Sequence, residues 1–123
     1  MIFPELLVVA GRVLLGGLFV VAGIRHFFIL PVVTGPMTAR GIPMAKEVLI
    51  AGSIFEIAAG ILLAVNIHAM WAALGLAVFT LIASWMLLDF WNKQGMPRHG
   101  AINGWMSNIG VVGGLLIIAA SGF

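Results

Sequence analysis

Two charged side chains stand inside long apolar runs, Arg12 in the first and Glu56 in the second. A charge near mid-bilayer costs roughly 2.5–3.5 kcal/mol on insertion scales, so residues of this kind are held by a partner or by a task. Counted along each helix, Arg12 lies about 8 residues (~12 Å) from its helix start, and Glu56 about 10 residues (~15 Å) from the same membrane face. Matching depth predicts mutual pairing, with Thr80 of the third run completing a polar layer. The chemistry available there is donation from a guanidinium and proton exchange at a carboxyl, and Glu56 and Arg12 are the candidates for any catalytic step. A plain ion pair setting helix register fits the same residues.

Spacing supports inward projection. Arg12, Gly16, Phe19, Gly23 and His26 step by four, three, four and three and share one helical face. Gly52, Glu56 and Gly60 do the same on the second helix, and the glycines let neighbouring backbones approach. A second polar group, Arg25, His26, Asp89, Asn92, His99 and Asn108, gathers toward the other interface beside Trp91. Asp89 lies about 180° round its helix from Thr80 and belongs to the rim. The candidate ligand-binding set is therefore Arg12, Glu56, Thr80, His26, Asp89, Trp91 and Asn108. No i, i+4 histidine pair or other metal-ligand spacing occurs, and His68 falls at the opposite face from His26 and His99, so neither a metal nor haem is expected.

The elements that must position these groups follow from composition. The 123 residues are 63% hydrophobic and 8% charged, with mean hydropathy +1.21, against roughly 25% charged in soluble domains. An all-α integral membrane bundle in a single domain is predicted, with helices over about residues 5–28, 45–66, 69–90 and 104–121. The first run has no basic stretch before it and no small-x-small cleavage site, and is read as a retained helix. Net charge is only +2, which argues against nucleic-acid binding. The absence of cysteine excludes disulfides, thiolate nucleophiles and Fe–S ligation.

Asn66, Ile67 and His68 make so short a connection that helices two and three must form an antiparallel hairpin. Pro31, Pro36 and Pro43 with Gly35 and Gly41 interrupt the apolar linker between helices one and two. A short interfacial helix around residues 36–40, or a re-entrant segment, is expected there. The 92–103 stretch reads as a more polar linker. Arg25, Arg40, Lys46, Lys93 and Arg98 all flank the one-to-two and three-to-four connections, which places those loops in the cytoplasm and both termini outside. Trp71 would anchor one interface, and Trp91 and Trp105 the other. Gly110 and Gly114, and the row Ala69, Ala73 and Ala77, are small-residue patterns that serve internal packing or a homo-oligomer.

The strings GRVLLGGLFVVAGIRHF (11–27), ARGIP (39–43), GSIFEIAAGILLAV (52–65), LLDFW (87–91) and WMSNIGVVGGLLII (105–118), in this order and spacing, resemble the DoxX family of small four-helix membrane proteins. The resemblance implies that Arg12, Glu56, Phe90, Trp91, Asn108, Gly113 and Gly114 match its recurrent positions. The chain departs from the family where Arg25 and His26 replace a frequent lysine, and where Leu88 and Asp89 replace a frequent histidine. The family is named for subunits of a thiosulfate:quinone oxidoreductase in bacterial or archaeal cell membranes. It implies a small subunit of a quinone-linked oxidoreductase system, with a quinone-like or lipid headgroup at the Arg12/Glu56 layer and an oxidoreductase partner. A non-catalytic scaffold or accessory subunit of a larger complex is the alternative. A solute transporter would need a polar path longer than the one layer visible.

Overall fold

The computed structural model describes residues 2–121. Among the described residues are five α-helices, α1 (Ile2–Phe28), α2 (Leu30–Ala39), α3 (Ala45–Ala64), α4 (Ala69–Leu87) and α5 (Gly95–Ser121), and a 3₁₀ turn, Phe90–Asn92, after α4. The described residues contain no strand. Four helical stretches are long and apolar enough to cross a membrane, and the protein is an all-α membrane bundle. α1 packs mainly on α3, α3 on α4, and α4 on α5, while α1 and α5 meet only sparsely. The α1 and α3 backbones touch through glycine. A Cβ on Gly16 would run into the Gly60 carbonyl oxygen, and one on Gly60 would come within 2.7 Å of the Gly16 oxygen. Leu63, Leu76 and Leu115 are fully enclosed and centre the core where α3, α4 and α5 converge.

The connections are built by end-of-helix chemistry. α2 closes with Gly41 at φ 79°, the Gly41 N–H bonding the Thr38 oxygen at 2.9 Å and the Ile42 N–H the Met37 oxygen at 3.1 Å. This paired pattern satisfies the last carbonyls. α3 ends the same way with Asn66 in glycine's place at φ 61° and the Ile67 N–H on the Leu62 oxygen at 2.9 Å. Asparagine is the side chain that best tolerates this left-handed backbone.

Two linker expectations are corrected. Helix α2 covers residues 30–39 and runs through Pro36 instead of starting there, because Pro31 occupies its first turn, where a missing N–H is harmless. α5 begins at Gly95, about two and a half turns before the expected start. Its polar first turns need no apolar neighbour to stay helical, and Pro97 again sits in an opening turn.

Candidate functional site

The axial register of α1 against α3 decides which polar groups meet. Gly23 faces the Ser53 carbonyl and Ile57, while Gly16 faces Gly60 and Ala64. The helices therefore run antiparallel, and Arg12 stands level with the α3–α4 turn. His26, beside Glu56, lies about fourteen residues further along α1, or ~21 Å. Arg12 and Glu56 do not pair and line different cavities. The expected Arg12/Glu56 layer is thereby corrected. Counting each helix from its own apolar start places the two at one depth, but α1 projects well beyond the end of α3, and depth in the chain is not depth in the bundle.

Glu56 instead meets His26. The His26 Nδ1 lies 3.5 Å from Glu56 Oε2 and 3.1 Å from Ser53 Oγ. Ser53 and Glu56 are three residues apart and share the face of α3 that Gly60 presses against α1, while Gly52 lies against Phe79 of α4. Glu56 is only 3% exposed, and its Oε2 is enclosed without a hydrogen-bond partner. A short chain of bonds faces it from the other side. The Asn108 amide donates to Ser84 Oγ at 2.8 Å, Ser84 donates to the Thr80 carbonyl at 2.7 Å, and Thr80 donates to the Leu76 carbonyl at 2.7 Å.

His26, Glu56, Thr80 and Asn108 all line one cavity of about 350 Å³ between the helices. Phe19, Phe79 and Met37 supply apolar wall, Met37 from α2. Leu18 and Val48 also line it, and both are exposed on the bundle surface, so the space communicates with the lipid-facing exterior. This is a concave, mainly apolar volume holding a few directed polar atoms, the usual makeup of a small-molecule site. Glu56 Oε2, with no hydrogen bond, is an exception among buried polar atoms, which are nearly always satisfied.

Asp89 and Trp91, expected in the same set, lie elsewhere. Asp89 sits 3.1 Å from Lys93, 3.7 Å from Arg40 Nε and accepts from Asn92 at 3.2 Å. Arg40 also donates to the Met86 carbonyl at 3.1 Å and to that of Trp85, and its guanidinium lies 4.7 Å over the Trp85 ring and 5.5 Å from that of Trp91. A cation on the last carbonyls of α4 is favoured by the helix dipole, so this cluster latches α2 to the end of α4. Arg25 and His99 are exposed. The single inner-rim group expected from sequence thus divides into a cavity group and a latch. Beyond the expected set, Ser53 and Ser84 hydrogen-bond the cavity residues His26 and Asn108 and Arg40 belongs to the latch, although Ser84 follows Thr80 by four residues and Ser53 precedes Glu56 by three, spacings that put each on the face of its partner.

Among the described residues no three His, Asp or Glu side chains gather in a way that could hold a metal. No curated protein and no solved structure matches the chain. A family model, DoxX, matches residues 7–89, a stretch that includes His26, Ser53, Glu56, Thr80 and Arg40 and ends before Trp91 and Asn108. The match covers well over half of the sequence and agrees with the four-span helical bundle: this chain belongs to the DoxX family.

Proposed function

We propose that this protein is a small integral membrane subunit of a quinone-linked oxidoreductase system, and that the Glu56 cavity takes the headgroup of a quinone-like or lipid amphiphile from the bilayer. The observation that carries the proposal is a buried carboxyl whose Oε2 makes no hydrogen bond, on a residue that lines an apolar cavity. A hydroxyl on the ligand donates to Glu56, and a carbonyl accepts from His26. The carboxyl and imidazole, 3.5 Å apart, pass the proton between them. The apolar tail lies along Leu18 toward lipid. None of these side chains transfers electrons alone, so a partner does.

Both termini face away from the cytoplasm in this reading. Arg25, Arg40, Lys46, Lys93 and Arg98 cluster at the α2 end of the bundle, and Arg12 alone at the other. The second reading, a non-catalytic accessory subunit, draws on Gly110 and Gly113, which lie open and exposed on α5.

The test is extraction of the protein in native lipid particles, wild type beside Glu56→Gln. The amide keeps the shape and removes the exchangeable carboxyl. The variant is expected to fold and assemble normally while losing at least about 90% of the copurifying amphiphile and of the turnover of its complex, a tenfold change equivalent to about 1.4 kcal/mol. Absence of any stoichiometric quinone-like amphiphile or redox partner from the wild type overturns the reading. Normal turnover in Glu56→Gln does so as well, and lost assembly in Glu56→Ala with no activity attributable to the site favours the accessory subunit.

A further inference from the structure

A second cavity, of about 400 Å³, opens at the opposite end of the bundle around Arg12, between α1, the α3–α4 turn and the last turns of α5. Its polar lining is Arg12, Asn66 and His68, and no acidic side chain contributes to it. Arg12 is partly buried, and among the described residues no carboxylate stands within ion-pair distance of it. An arginine at this level can extend its charge to the headgroup zone, and the guanidinium presents a rigid fork of donors matched to oxyanions. The imidazole and amide beside it are also able to donate. Ala69, Met70 and Trp71 line the same cavity at the start of α4, which no side chain caps. Trp71, 66% exposed, marks this level as the membrane–water boundary, where indoles settle and headgroups lie.

We infer that the Arg12 cavity is an anion site that takes a phosphate group at the membrane–water interface. The apolar side formed by Val8 and Ile118 suits the glycerol and upper acyl region of a phospholipid. Free phosphate satisfies the same donors. This inference is independent of the one made for the Glu56 cavity, which lies at the other end of α1.

The experiment uses the full chain, delipidated in mild detergent and titrated separately with phosphatidylglycerol, diacylglycerol and inorganic phosphate, with binding read by native mass spectrometry and thermal stability. Wild type is expected to retain one phosphatidylglycerol and no diacylglycerol, with about tenfold weaker retention in Arg12→Gln. Stabilisation by millimolar inorganic phosphate, lost in Arg12→Gln, identifies soluble phosphate as the source and upholds the site. Ile118→Trp, which fills the cavity while leaving Arg12 intact, is expected to lose the same binding, and it becomes the deciding variant if Arg12→Gln does not fold. Equal retention of phosphatidylglycerol and diacylglycerol, or binding unchanged in both variants, overturns the inference.

Discussion

Glu56 and Asp89 are buried to almost the same degree, 3% and 7% exposed, in neighbouring parts of one small bundle. Asp89 is met by Lys93, Arg40 and Asn92, and its latch joins two helices. Glu56 has one histidine, 3.5 Å from its Oε2, and that enclosed oxygen makes no hydrogen bond. Burial alone would rank the two as equivalent. The difference lies in how far each carboxyl is satisfied. A carboxylate met by three partners holds two helices together, whereas a buried carboxyl left short of hydrogen bonds adds little to the fold, and the proposed function rests on that contrast.

The widest separation between them is expected in stability. Asp89→Ala removes the carboxylate shared by Arg40, Lys93 and Asn92 and weakens the latch, leaving Arg40 only the carbonyls at the end of α4. A loss of about 2–3 kcal/mol is expected, in line with bonds to charged groups. Glu56→Gln, which keeps the shape and replaces a carboxyl whose Oε2 makes no hydrogen bond, is expected to stay within about 0.5 kcal/mol of wild type or to exceed it. Thermal unfolding in one detergent, measured on both variants side by side, checks the pair. Equal losses would erase the contrast.

The sequence is legible where the physics is periodic and local. Hydropathy locates four spans, since a membrane helix must be apolar over its crossing length. The four-three spacing correctly places Gly16, Phe19 and Gly23 on a buried face and groups Glu56 with Gly60. The axial offset between helices is not legible. It depends on Gly16 meeting Gly60, a contact between distant residues, and a shift of a few turns leaves each helix's own pattern unchanged. The same limit explains Asp89, which its position near one membrane face groups with His26. Residues near one face share a depth but not a side of the bundle, and only the contact of α2 with α4 through Arg40 separates them.

A finer comparison concerns what little compensation Glu56 has. His26→Ala removes its nearest cation-capable neighbour, so the loss caused by that substitution should shrink by about 1 kcal/mol when Glu56→Gln is already present, as for groups in direct contact. The measurement is a double-mutant cycle on thermal stability. Independent effects would mean that the imidazole serves Ser53 alone and that Glu56 receives no help from α1.

The smallest expected effect is the most discriminating for the architecture. Arg12 and Glu56, a guanidinium and a carboxyl in adjacent helices, invite pairing, yet the register of α1 on α3 holds them about 15 Å apart along the bundle. Arg12→Met should therefore change stability equally in wild-type and Glu56→Gln backgrounds, within about 0.3–0.5 kcal/mol, since sites separated by more than about 10 Å act additively. A coupling above about 1 kcal/mol would require α1 to slide several turns toward the α2 end. Gly16 would then leave Gly60, and larger side chains of α1 would be driven against the α3 backbone. Additivity in this cycle, together with coupling in the His26 cycle, would establish from solution measurements alone that the two ends of α1 serve separate sites.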